Sequence, residues 1–316
     1  MNGIDWAKYL AYFIQIDTLQ TPISEDRRTE IEDLLVEVLE ISVPDWPRHW
    51  GTASGFGNGT EVVVHLHATP RSGPLGNLAA EFTGPLAIRV MRHNIGADTI
   101  AFFQQRAEEE HPLNGPEHVH FQRSLGVIQQ GGYDLVIHEW VPGETLEWLR
   151  TNYWNIRPLS GDDAEKILQQ IVVGVVIPSW AIATDTSGVL WDIRDANFVV
   201  SGYKKDPGTR IHVAYVDTAN LRHLIEPREN RKGQIRQGLS RLRATMKRIL
   251  KEAQGKWETR PKSYEREFMS ALEESGLLDC LSLLPDQEPP SVELAETAFH
   301  TFLNRIREQG LLRPKS

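Results

Sequence analysis

Between residues 161 and 217 the chain passes through an apolar helical stretch, a polar loop and two short β-branched runs. The stretch GDDAEKILQQIVVGVVIPSWAIATD (161–185) places Ile167, Leu168, Ile171, Val172 and Val175 on one face, which predicts a buried helix. Asp162 and Asp163 suit its positive N-terminal end. Pro178 should kink or end it. The loop GVLWDIRDANFVV (188–200) follows, with Asp192 and Asn197 five positions apart. The next apolar run, IHVAYVD (211–217), ends on Asp217. Phe198–Ser201 and Ile211–Val216 predict two strands joined by a GYKKDPGT turn. A sequence that delivers an Asp, an amide and a second Asp to the ends of neighbouring short strands is building a polar site. Without a site to serve, the same residues would form an Asx-rich turn bonded to its own backbone.

Upstream, residues 4–16 and 25–41 predict two helices. In the second, Ile31, Leu34, Leu35, Val38 and Leu39 recur at helical spacing behind Pro22 and a capping Ser24. These segments read as a helical extension packed on the main domain. GTASGFGNGTEVVV (51–64) predicts strand, glycine turn and strand. Residues 68–85 read as a loop insertion, LAIRVMR (86–92) as a strand, and ADTIAFFQQRAEEE (97–110) as a helix ended by Pro112, Gly115 and Pro116. YDLVIHEWV (133–141) predicts a strand stopped by Pro142-Gly143, and Thr145–Tyr153 a short helix. Beyond about residue 232 the pattern is helical, with a Pro-rich loop at 285–290. No internal repeat is present.

At 316 residues the chain can bury a full core. Its 34 Lys and Arg against 43 Asp and Glu give a net charge of −9, which argues against general binding to nucleic acid. A single cysteine, Cys280, excludes an internal disulfide and any cysteine-based zinc or iron centre. The N-terminus lacks the basic start of a signal peptide, and no run approaches the roughly 18 apolar residues that span a bilayer. The expectation is a soluble cytoplasmic protein without a membrane partner.

The order of these elements resembles the protein-kinase-like fold superfamily. LVIHEWVPGETLEWL (135–149) is similar to the kinase hinge, commonly written L-V-x-E-Y-x-x-G-x-x-L. Leu190–Asn197 is similar to the catalytic loop H-R-D-[IL]-K-x-x-N, and VAYVDTAN (213–220) to the strand ending in D-F-G, with Thr218 and Ala219 in place of Phe and Gly. The resemblance covers roughly residues 50–225. It implies an α+β bilobal fold: an N-terminal helical extension (1–48), a β-rich N-lobe (49–141) and a helical C-lobe (142–316). It further implies ATP and Mg2+ as cofactors. Asp192 takes the role of base, Arg194 that of the loop cation steadying the phosphate, and Asn197 and Asp217 those of metal ligands. Phosphoryl transfer is mostly positioning plus charge neutralisation, which explains the residue types. Two protein oxygens suffice for magnesium, because substrate phosphates complete its shell. Asp195 stands where the family often has Pro and reads as a surface turn residue.

By the same resemblance, His138 is the gatekeeper, and Glu139, Trp140 and Val141 present backbone groups to the adenine edge. Arg89 in LAIRVMR stands where V-A-I-K has Lys, and no Lys lies between Lys8 and Lys166. Its helix partner would be one of Glu108, Glu109 and Glu110, with Glu109 taken here. Gly51, Gly55, Gly57 and Gly59 form a degenerate glycine loop, with Gly55, Phe56 and Gly57 as its tip over the phosphates. No A-P-E follows Asp217, and Glu226-Pro227 comes only nine residues on, as in atypical and small-molecule kinases.

Residues 231–256 carry nine Lys and Arg against one acid, Glu252, beside an apolar stripe of Ile235, Leu239, Leu242, Met246, Ile249 and Leu250. This is a helix with a solvated basic face, or a docking patch for an acidic partner. His65, His67, His118 and His120 form two H-x-H pairs, each a packed or surface pair or a metal site. Three functions follow: phosphotransfer from ATP to a hydroxyl on a protein or small molecule, a pseudokinase-like binding or scaffolding module, and nucleotidyl transfer.

Overall fold

The computed structural model describes residues 14–19, 23–39, 49–53, 60–66, 73–80, 82, 84–91, 120–157, 159–160, 162–172, 193–204, 210–216, 240–250, 252, 261–276 and 292–309. The chain is α+β and divides into two compact units. The first holds residues 1–110 and 122–141, and the second residues 111–121 and 142–316.

The first unit is built on a six-stranded sheet of order β2-β1-β3-β4-β7-β6. Its strands are β1 (Ile14–Leu19), β2 (His49–Ala53), β3 (Thr60–Leu66), β4 (Leu86–Met91), β6 (Ser124–Gln130) and β7 (Tyr133–Glu139). Residues 14–16, expected at the end of a helix, therefore lie in a strand. β-branched Ile14 and Ile16 suit one, and pairing to β3 overrides the helical spacing. β1 is antiparallel to β3 and parallel to β2, and so stands between them. The glycine stretch after β2 thus joins strands that are not neighbours. The two strands expected there form, but β1 stands between them and they do not pair with each other. β6 carries few apolar residues and does not stand out in the sequence. Its partner β7 is buried along nearly its whole length.

One sheet face is the core. Val62, Val64, Leu66, Leu86, Ile88, Val90, Leu135 and Ile137 alternate along β3, β4 and β7 and meet Ile31, Leu34, Leu35 and Val38 of α1 (Glu25–Leu39). Ser24 begins α1, accepting the Arg27 N–H at 3.4 Å on its hydroxyl and the Arg28 N–H at 3.0 Å on its carbonyl. The Arg27 guanidinium lies 4.5 Å from the centre of the Tyr133 ring, pinning α1 to the start of β7. The span 68–85 is more than a loop. α2 (Gly73–Leu78) lies within it and sends Leu75, Leu78 and, just beyond, Ala79 into the same core.

The second unit holds a four-stranded sheet of order β5-β10-β9-β8. Its strands are β5 (His120–Phe121), β8 (Glu144–Thr145), β9 (Phe198–Ser201) and β10 (His212–Tyr215). β9 and β10 form the expected antiparallel pair. α3 (Leu146–Trp148) runs directly into a π-turn, Leu149–Tyr153, and the Thr145 hydroxyl caps it by accepting the Trp148 N–H at 3.1 Å. α4 spans residues 162–172 behind Ser160, whose hydroxyl accepts the Asp163 N–H at 3.2 Å. Ile167, Leu168, Ile171 and Val172 are buried, and Gln170 reaches β10. Its amide donates to Ile211 O at 3.0 Å and accepts the Val213 N–H at 2.8 Å. α5 covers residues 240–250, followed by α6 (Pro261–Glu274) and α7 (Val292–Glu308). Phe268 and Phe302 meet edge to face at 5.4 Å between α6 and α7. Arg305 bonds Glu274 across the same pair, and Arg307 bonds Glu165 of α4. Among the described residues no helix is long and apolar enough to cross a membrane.

Candidate active site

In the second unit Asn197 closes a short turn ahead of β9. Arg194 is extended and exposed, and residues 195–197 then make one tight 3-10 turn, with the Asn197 N–H donating to Arg194 O at 2.9 Å. Ile193 and Phe198 are buried on either side and hold the turn against the unit. The Asn197 carbonyl accepts the Val216 N–H at 2.9 Å. The last residue of the D-x-x-x-x-N loop is therefore bonded to the residue that precedes Asp217 in sequence. Asp192 and Asp217 themselves lie outside the described residues.

Asp195 corrects the sequence reading. It is no surface turn residue but 5% exposed. The Thr245 hydroxyl donates to Asp195 Oδ1 at 2.8 Å, and Arg248 Nη1 and Arg150 Nε lie 3.0 and 3.4 Å from Oδ2. Burying a carboxylate is costly unless it is paired, and these partners supply the pairing. The sequence held one hint. Thr245 is the polar residue on the buried face of α5, among Leu242, Met246 and Ile249. Arg248, counted as part of a basic face, is thus engaged inside its own unit.

The β8–β9 edge of this unit carries a second polar group. Burial raises the Glu144 carboxyl above its usual range, with Lys204 opposing it. Tyr203 is raised by burial, then by Glu144 and Tyr153, and its ring meets Tyr153 edge to face at 5.0 Å.

In the first unit, the sheet face opposite the core carries the other expected residues. The register pairs His65 with Ala87 and Ala87 with His138, and in the next row Val63 with Arg89 and Arg89 with Val136. Facing residues of antiparallel strands share a side, so Ala87, Arg89 and His138 stand together. His138 is buried, and its pKa is pushed down to about 3 by desolvation and then by the Arg89 charge. The His65 and Trp140 rings meet at 3.7 Å with 76° between their planes.

The hinge residues are partly engaged already. The Glu139 N–H donates to Arg123 O at 3.0 Å, the Glu139 carbonyl accepts Gln122 Nε2 at 2.9 Å, and the Glu139 carboxylate accepts the Arg123 N–H at 2.7 Å. The Trp140 N–H donates to Pro85 O at 2.8 Å. Val141 is the half-buried residue at which the first unit ends. Gly55, Phe56, Gly57 and Glu109 lie outside the described residues.

Among the described residues no cluster of three or more His, Cys, Asp or Glu side chains is placed to hold a metal. His67 and His118 lie outside the described residues. The ring near His120 is instead His212 of β10, 6.0 Å away, a neighbour that only the β5–β10 pairing reveals.

No protein-family model matches the chain, and no curated protein matches it. Among solved structures it is similar to the kinase domain of Mycobacterium tuberculosis PknI. A double-mutant form of that domain is 13% identical with a TM-score of 0.45, over 78% of this chain and 92% of that one. The domain without those substitutions is 14% identical with a TM-score of 0.41 over the same shares. A likeness of this size carries no argument of its own.

Proposed function

We propose that this chain is an ATP- and magnesium-dependent phosphotransferase of protein-kinase-like bilobal fold and atypical type, moving the γ-phosphate to a hydroxyl on a protein or small molecule. The observation that carries the reading is the bond from the Val216 N–H to the Asn197 carbonyl. It holds the amide end of the D-x-x-x-x-N loop beside the end of the strand that leads to Asp217. It supports a reading in which Asn197 and Asp217 offer two hard oxygen ligands to one magnesium, with substrate phosphates completing its shell. In this reading Asn197 and Asp217 hold the metal, Asp192 takes the hydroxyl proton, and Arg194 steadies the phosphate. Bound magnesium would neutralise charge on the transferring group.

The sheet face of the first unit supports the same reading. Arg89 offers a fixed, always-charged fork that pairs with phosphate oxygens. The neutral His138 beside it adds no competing charge. A purine base would lie near Ala87 and Val141. The test is ATP turnover with magnesium by the full chain. Turnover that vanishes in Asp192→Ala supports the proposal, and its absence in the wild type, across protein and small-molecule acceptors, sinks it.

A second reading, a pseudokinase-like nucleotide-binding or scaffolding module, is favoured by one specific observation. β1 stands between β2 and β3, so the glycine stretch does not close a hairpin of the kind expected over phosphates. Nucleotide binding without turnover would select this reading.

A further inference from the structure

Asp195 belongs to none of the roles assigned above, yet it is a buried charge with three partners. Its three partners come from two distant segments. Arg150 lies in the π-turn that follows α3, and Thr245 and Arg248 lie on α5. The 3-10 turn it opens ends on Asn197, whose carbonyl takes the Val216 N–H. A carboxylate only accepts hydrogen bonds, so a hydroxyl and two guanidinium groups are the partners it requires. An apolar side chain could fill the same space without the desolvation cost of an ion cluster. What the charge adds is direction: the hydroxyl proton of Thr245 fixes one carboxylate oxygen, and the ion pairs to Arg248 and Arg150 hold the other.

We propose that Asp195 is a positioning residue. Bridged to Thr245, Arg248 and Arg150, it sets the register of the 195–197 turn against the end of β10, and so fixes Asn197 for metal binding. The metal clause rests on the phosphotransfer reading, whereas the anchoring of the turn does not. The cluster also ties the loop to the basic helix α5 through Thr245 and Arg248.

The test compares wild type, Asp195→Asn, Arg248→Met and Arg248→Lys as full chains, by amide hydrogen exchange and by Mg2+ titration in the presence of ATP. Asp195→Asn and Arg248→Met should speed exchange at Asn197 and Val216 at least tenfold while β4 and β7 keep wild-type rates. Arg248→Lys should restore most of the protection. The apparent Mg2+ affinity should fall about tenfold in the first two variants, with ATP binding in the absence of metal unchanged. Wild-type exchange at Asn197 and Val216 in both variants overturns the proposal, as does equal acceleration in β4 and β7. Should Asp195→Asn fail to fold, Arg248→Met decides, because Arg248 is half exposed and its removal leaves Thr245 and Arg150 on the carboxylate. A wild type that binds no Mg2+·ATP defeats the phosphotransfer reading, and the exchange result then stands alone on whether Asp195 anchors the turn.

Discussion

Arg89 and His138 are diagonal neighbours on one face of the six-stranded sheet, offset by two residues along the β4–β7 register. Burial first, and the Arg89 charge second, hold the His138 imidazole neutral with a pKa of about 3, against an ordinary value of 6.5. In the unfolded chain the ring takes its proton near 6.5, while in the folded chain it does so only near 3. Between those values the unfolded state binds more protons, so stability falls as the pH is lowered through this window. The full span corresponds to about 5 kcal/mol, at roughly 1.4 kcal/mol for each pH unit. Urea midpoints measured from pH 7 to pH 3.5 should fall steeply in the wild type and more gently in His138→Met.

Catalysis in the proposed reading depends on groups of unequal kind. Asp192→Ala removes the proton acceptor and should lower ATP turnover by about 10²- to 10⁴-fold, with nucleotide affinity little changed. Asp217→Ala removes a metal ligand. It should abolish the extra thermal stabilisation that magnesium adds to ATP while leaving the metal-free shift in place.

Gly143 ends the connection into β8 at a φ of +133°, and a Cβ there would lie 2.4 Å from the Val200 carbonyl oxygen. Backbone cannot give way as a flexible side chain can. Gly143→Ala should therefore cost upwards of about 2 kcal/mol and weaken the β8–β9 pairing. Gly132 is the internal control. Its φ is +82°, but nothing lies within 4 Å of the added carbon. Gly132→Ala should cost only the left-handed strain of about 1–2 kcal/mol.

Gln170 substitutes for a neighbouring strand at two backbone groups, Ile211 just before β10 and Val213 within it. Gln170→Leu keeps the bulk but leaves the Ile211 carbonyl and the buried Val213 N–H without their partner. Each such group costs about 1–3 kcal/mol. Chemical denaturation should show the loss, and exchange at Val213 should rise ahead of exchange in α7.

α1 is part of the first unit's core rather than an appendage. Leu35 is fully buried among sheet residues. Leu35→Ala should cost about 2–5 kcal/mol, judged by urea unfolding. Removing residues 1–39 would also strip β1 from between β2 and β3, and should leave the chain insoluble or without a cooperative transition.

Local pattern carried far in this chain. The β9 and β10 strands, the helix at 162–172, the strands at 86–91 and 133–139 and the Ser24 cap are where period and capping residues put them. Each is a short-range preference that tertiary packing reinforces. Of the expected catalytic and metal-binding residues, the structure describes Arg194 and Asn197, in the short turn that leads into β9.

Sequence alone determined the two short strands that follow Asn197 and Arg210, because residue order and strand period are local properties. Three things were decided only by tertiary structure. Strand pairing placed β1 between β2 and β3, because a strand's neighbours depend on long-range contacts that no local period encodes. Packing of Thr245, Arg248 and Arg150 turned Asp195 from an apparent surface residue into a buried anchor, since a carboxylate is buried only where distant cations and donors converge on it. Sheet register set Arg89 beside His138 and fixed the imidazole's charge, a matter of desolvation that exists only once the β4–β7 pair has closed.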